Sequence, residues 1–270
     1  MQRRLWIRYT LCAIFFIAIS ISYAAATGWE DKPELGELFR SAEVNGTFVL
    51  YDVTANTYIG HDKVRAEKQY VPASTFKIPN SLIGLSVRAV KSVDEVLPYR
   101  GDPNPFIKAW GKDMGLREAI ALSNVPIYQE LARRIGLERM QENVSRMDYG
   151  NKEIGGSVDT FWLNGPLKIS AIEQTQFLAK LAQGALPFPQ ACQKSVREIV
   201  LLDQGENWKL YGKTGWQNAP DHGVGWWVGW LQKKDGHIYA FALNIDIKKA
   251  SDASKRVELG KASLKMLGIP

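Results

Sequence analysis

Two runs near the C-terminus, Gly225-Trp-Trp-Val-Gly-Trp-Leu231 and His237-Ile-Tyr-Ala-Phe-Ala-Leu-Asn-Ile245, decide the fold. Both are rich in aromatic and β-branched residues, and the turn signal Lys234-Asp235-Gly236 separates them. A third run of the same character, Trp208-Lys-Leu-Tyr-Gly212, precedes them across Ala219-Pro220-Asp221, so three consecutive strands form a meander. Trp226, Trp227 and Trp230 read as core, because alternate residues of a strand pack inward and aromatic strand residues are usually structural. Toward the N-terminus, Gly46-Thr-Phe-Val-Leu-Tyr-Asp-Val and Asn56-Thr-Tyr-Ile-Gly-His flank a turn at Thr54 to Asn56 and make a hairpin. From Ser74 to about Leu186 the period changes. Leu116-Arg-Glu-Ala-Ile-Ala-Leu and Ile127-Tyr-Gln-Glu-Leu-Ala-Arg-Arg-Ile place apolar residues three and four apart, and Ala171-Ile-Glu-Gln-Thr continues through Phe177-Leu-Ala-Lys-Leu. Asp252 to Leu267 closes the chain as an amphipathic helix.

Strands at both ends and helices between them imply a mixed α/β fold: a central antiparallel sheet built from both chain ends, flanked by helices, with an inserted all-helical lobe. The expected organisation is one domain over 27–270, its sheet lobe at about 27–73 and 195–270 and its helical lobe at about 74–194.

Residues 1–26 have a different logic. A basic start, Met1-Gln-Arg-Arg-Leu-Trp-Ile-Arg, an apolar run from Tyr9 to Ile21 and the small residues Ala24-Ala25-Ala26 spell a cleavable signal peptide and export to the periplasm. The run is shorter than the ~20 residues of a spanning helix, so no stable membrane anchor is expected after cleavage. Cleavage near Ala24 or Ala26 also removes Cys12 and leaves Cys192 alone, without an intramolecular disulfide. Loss of Arg3, Arg4 and Arg8 lowers the formal charge from +6 to about +3, with both signs interspersed. Nucleic acid is therefore not an expected partner, a small anionic substrate is, and a homodimer stays open. His61, His222 and His237 are not spaced as a ligand set, so no metal is expected.

The chemistry sits in four short motifs. Ser74-Thr75-Phe76-Lys77 follows Val71-Pro72-Ala73 at the start of a helix, so Ser74 and Lys77 at i and i+3 share a face. A serine hydroxyl needs a base, and a lysine supplies one when burial lowers its pKa; Phe76, Ile78 and Leu82 provide the apolar surroundings. Pro79, inside the same helix, suggests a kink. Ser-x-x-Lys alone arises roughly once by chance in a chain this long, whereas Lys213-Thr214-Gly215 arises about once in some ten such chains. The triplet is expected to end the strand that begins at Trp208, with Lys213 and Thr214 facing a cleft and Gly215 letting substrate approach the backbone. Ser123-Asn124-Val125 before a helix and Tyr149-Gly150-Asn151 in a polar stretch lie between them, each by itself an ordinary N-cap or turn.

With these motifs in this order, the chain resembles the class D serine β-lactamases, the oxacillinases, within the penicillin-recognising serine enzymes. The resemblance also takes in Pro72-Ala-Ser-Thr-Phe-Lys-Ile-Pro-Asn, Phe161-Trp-Leu-Asn-Gly-Pro-Leu-Lys-Ile-Ser, Lys213-Thr-Gly-Trp and Gly225-Trp-Trp-Val-Gly-Trp. A sister class with Ser-Asp-Asn as second motif and a glutamate base fits less well, since Asn124 and Val125 stand there. The resemblance implies a β-lactamase/transpeptidase-like fold and a β-lactam amidohydrolase that opens penicillins and related antibiotics through an acyl-enzyme on Ser74. It implies no cofactor beyond carbon dioxide or bicarbonate, which carboxylates Lys77 so that it serves as base for acylation and deacylation. It further implies that Val125 and Trp162 wall the lysine pocket, with the Trp162 indole N–H donating to the carbamate, and that Ser123 relays a proton to the leaving nitrogen. Backbone N–H groups of Ser74 and Trp216 would form the oxyanion hole. Thr214 and Arg256 would hold the substrate carboxylate beside Gly215, and Lys213 would supply positive potential. Two other activities share the motifs: a β-lactam-sensing receptor domain that stays acylated, and a cell-wall D,D-transpeptidase.

Overall fold

In the computed structural model, which describes residues 28–217 and 223–270, the hairpin and the meander share one sheet. The expected leader with Cys12, and His222, lie outside the described residues. In chain order the strands and helices are β1 (Gly28–Asp31), α1 (Pro33–Ser41), β2 (Gly46–Asp52), β3 (Thr57–His61), α2 (Lys63–Glu67) and α3 (Lys77–Ser86). Then follow α4 (Leu116–Ala121), α5 (Val125–Ile135), α6 (Leu137–Arg146), α7 (Ala171–Gln183) and α8 (Gln190–Ile199). The chain ends with β4 (Leu201–Gln204), β5 (Trp208–Gln217), β6 (Gly223–Lys233), β7 (Ile238–Ile247) and α9 (Asp252–Met266).

The sheet order is β1-β3-β2-β7-β6-β5-β4. The seam between the two chain ends is β2 against β7, antiparallel from Gly46 opposite Ile245 to Asp52 opposite Tyr239. One pairing departs from the all-antiparallel expectation: β1 runs parallel to β3, because α1 turns the chain round between β1 and β2. Side chains alternate across a strand, so β6 feeds two cores. Trp226 and Trp230 enter the core shared with the helices around α3 and α5, and Trp227 enters the opposite one against α9. The structural reading of the three tryptophans therefore holds; each is at most 2% exposed.

Three other expectations change. The helical middle is interrupted by two long stretches without α-helix, 87–115 and 147–170, and α7 leaves the helical lobe to pack on β2, β6 and β7. The strand from Trp208 continues to Gln217, so Lys213-Thr-Gly lies inside β5 and does not end it. Its pairing with β6, from Trp208 opposite Lys233 to Gln217 opposite Val224, carries the ladder past the glycine. Pro79 makes no interior kink: α-helical hydrogen bonding starts at Lys77, and a proline in a first turn lacks only an N–H that has no partner there. The elements β1, α1 and β4 carry too short or too mixed a pattern to have been read from sequence.

Candidate active site

Ser74 sits in a 3-10 turn, Ala73–Phe76, that runs directly into α3 at Lys77. Three residues per turn put side chains i and i+3 one above the other, and Lys77 Nζ lies 2.8 Å from Ser74 Oγ. The turn is held under strain: Ala73 has φ of 49°, in the left-handed region that a residue with a Cβ avoids. Bracing comes from Thr75, whose Oγ1 donates to Pro72 O and accepts from Gln174 Nε2 of α7, and from Trp226, whose Nε1 donates to Val71 O at 2.9 Å.

Lys77 is fully buried. Burial first, and the positive charge of Lys213 second, hold its pKa well below the usual lysine range. The Tyr128 ring centre lies 5.4 Å from its Nζ, and neighbouring Phe76 stacks on Trp162 with ring centroids 5.6 Å apart. Trp162 is fully buried too, and its indole Nε1 has no hydrogen-bond partner among the described residues. A buried donor left unpaired costs about 1–3 kcal/mol.

In the second motif the capping residue is Asn124. Its Oδ1 accepts from Ile127 N at 3.1 Å to cap α5, and its Nδ2 donates to Trp110 O. Ser123, at a left-handed φ of 54°, is thus released from the N-cap role that a serine before a helix ordinarily takes, and its Oγ accepts from Lys213 Nζ at 3.0 Å. Lys213 Nζ also donates to Thr214 O at 3.0 Å. Desolvation, then the charge of Arg256, lower its pKa to about 7.

Gly215, which lines the cleft, also has a structural use. A Cβ there would lie 3.0 Å from Pro72 O and 3.1 Å from Thr75 Cγ2, so its bare backbone lets the nucleophile's own turn sit against β5. Arg256, from α9, donates from Nη1 to Gly215 O at 2.7 Å and lines the cleft, while Lys248 and Lys249 stay exposed and Lys255 turns to Asp252 and Ala42 O. Ser74, Ser123, Val125, Thr214, Gly215, Trp216 and Arg256 line one cleft of about 420 Å³. Lys77 and Lys213 lie behind the serines they contact.

Phe106, Ile107 and Trp110 complete that cleft and escaped the sequence reading. The available signal was an aromatic-apolar cluster directly after the turn-rich segment Gly101-Asp-Pro-Asn-Pro105, where no core period explains it. Phe106 is 97% exposed, at the cleft mouth. Tyr149-Gly-Asn does not line the cleft. It closes the base of the stretch bearing Trp162: Asn151 N donates to Lys168 O and Asn151 Nδ2 to Pro166 O, both at 2.9 Å. Gly150, at φ of 54°, brings its backbone so near Lys168 O that a Cβ would fall 2.0 Å from it.

The penicillin-binding-protein transpeptidase domain family matches residues 46–265. Beta-lactamase OXA-5 of Pseudomonas aeruginosa is 37% identical over 96% of this chain and 98% of its own length. Beta-lactamase OXA-48 of Klebsiella pneumoniae is 36% identical over 94% and 96%. Among solved structures, the class D β-lactamase FUS-1 (OXA-85) of Fusobacterium nucleatum superposes with a TM-score of 0.85 at 43% identity, covering 88% of this chain and 98% of that one.

Proposed function

The chain belongs to the class D serine β-lactamases, and on that premise we propose that it opens β-lactam rings through an acyl-enzyme on Ser74, with Lys77 as the base. The observation that carries the assignment of residues is the contact of a fully buried lysine amine, far below its usual pKa, with a serine hydroxyl at 2.8 Å. Ser74 Oγ gives its proton to the Lys77 side chain and bonds to the lactam carbonyl carbon; the C–N bond breaks and the ring nitrogen takes the proton of Ser123 Oγ. Lys213, donating to that oxygen at 3.0 Å, holds Ser123 in place and stabilises it as the proton leaves. Lys77 passes the proton it took to Ser123 Oγ and is free as base again; water then gives a proton to Lys77 and bonds to the ester carbonyl carbon, the ester C–O bond breaks, and Ser74 Oγ takes that proton back.

The residues around Lys77 fit a carboxylate added to Nζ by carbon dioxide. The amine is held toward its neutral, nucleophilic form, and the Trp162 N–H, stacked on Phe76, is buried without a partner among the described residues. When present, that group supplies an anionic base in place of an amine. Backbone N–H groups of Ser74 and Trp216 are the donors we assign to the oxyanion, at the edge where β5 meets the nucleophile turn. Thr214 and Arg256, with Lys213 behind them, offer the substrate carboxylate a hydroxyl and two cations. The basic, apolar and small-residue order of 1–26 supports export by a cleaved signal peptide to the periplasm, and no helix among the described residues is long and apolar enough to cross a membrane.

The deciding experiment is the intact mass of the purified protein at intervals after a penicillin is added. Adduct that appears and vanishes while ring-opened product accumulates is expected; adduct that persists points to a receptor or transpeptidase.

A further inference from the structure

Trp162 lies on a stretch, 147–170, that has no helix or strand of its own, and the clamp at Asn151 fixes only its base. The far side is fixed by α5. Arg133 Nη1 donates to Asp159 Oδ2 at 2.8 Å, and Gln129 Nε2 donates to Asp159 O at 3.1 Å. Gln129 and Arg133 are four residues apart and so share a helix face. Arg133 is oriented from behind as well: its Nη2 donates to Glu130 Oε2 at 3.2 Å, and Glu130 is only 8% exposed. From Asp159 the chain enters a tight turn. Ser157 Oγ donates to Asp159 Oδ1, Thr160 Oγ1 donates to Ser157 Oγ, and Leu163 N and Asn164 N both donate to Thr160 O. Trp162 is carried inside that turn, so any movement of Asp159 is passed to the indole. The same helix, α5, contributes Val125 to the cleft and Tyr128 to the surroundings of Lys77.

We propose that Arg133, acting on Asp159, is a positioning residue that sets how firmly Lys77 Nζ retains a carboxylate, by fixing the Trp162 N–H that would donate to it. The pair does not line the substrate cleft. Its effect therefore falls on carboxylation and leaves substrate binding alone. The inference rests on the reading of Lys77 given above.

The experiment uses the full chain equilibrated with ¹³C-bicarbonate. The carbamate signal is followed by NMR against bicarbonate concentration for the wild type, Arg133→Gln, Asp159→Asn and the double variant, with melting temperature as a control on folding. Arg133→Lys serves as the gentler change if Arg133→Gln loses its fold. The bicarbonate concentration for half occupancy should rise about tenfold in each single variant, the scale of one charge-assisted hydrogen bond, and no further in the double. In turnover, kcat should fall at low bicarbonate and recover at high bicarbonate with KM unchanged. A wild-type signal whose bicarbonate dependence is unaltered in folded variants overturns this inference alone. Absence of any carbamate signal in the wild type overturns the reading of Lys77 and this inference with it.

Discussion

Lys77 and Lys213 reach two serine hydroxyls at nearly equal distances, 2.8 and 3.0 Å, one from the helical side of the cleft and one from the sheet. Both are buried and both have depressed pKa values, but their surroundings differ. Ser74 Oγ is the hydrogen-bond partner of Lys77 Nζ among the described residues, and the Tyr128 ring centre lies 5.4 Å from the amine. Lys213 has a backbone carbonyl and Ser123 to accept its protons, and Arg256 and Thr214 beside it line open cleft. An anion held in that cleft beside Arg256 and Thr214 would favour the charged form of Lys213. Burial pushes either amine toward neutrality, and it is the set of acceptors and the route to an anion that separates a base from a stored positive charge.

The largest test of that distinction is Lys77→Ala. It should lower kcat by about 10³-fold or more while still allowing some adduct on Ser74, seen by mass as a species that does not turn over. Rapid, bicarbonate-independent turnover by this variant would erase the difference between the two lysines. Lys213→Ala should act chiefly on binding, with KM for an anionic penicillin raised about tenfold. In the wild type KM should climb as the pH passes above about 7, where free Lys213 gives up its proton, and in the variant that climb should disappear; steady-state kinetics from pH 6 to 9 decide.

The smallest effect is on stability. Lys213 is about 7 when folded and near the ordinary lysine value of 10.5 when unfolded, so between those pH values the unfolded chain holds the extra proton. Stability contributed by this group therefore rises with pH across that window and is lowest below about pH 7. Urea unfolding at pH 7 and pH 9 should show a smaller rise in Lys213→Ala than in the wild type, and an equal rise would mean that Lys213 keeps its charge in the fold.

Much of the frame was legible because it is local. Runs rich in aromatic and β-branched residues, bounded by turn signals, located β2, β3, β6 and β7, and the i and i+3 spacing of Ser74 and Lys77 was enough to bring their side chains together. What escaped depends on other segments. Nothing within Trp208–Gln217 says that the strand runs on past Gly215; its partner, β6, extends it. Nothing around Ser123 says that Asn124 takes the cap, which follows from the left-handed turn at φ of 54°. Phe106, Ile107 and Trp110 join the site only because their loop folds over the cleft, and Arg133 meets Asp159 across 26 residues.

The sequence by itself thus determined which groups are available: a serine and a lysine one turn apart, a second serine-lysine pair and an arginine near the C-terminus, all expressed in residue type and short spacing. The tertiary structure decided what those groups are. Whether a lysine is a base or a stored charge depends on how much water surrounds it and on which groups stand near it, and part of that setting comes from far along the chain: Tyr128 for Lys77, and Ser123 and Arg256 for Lys213.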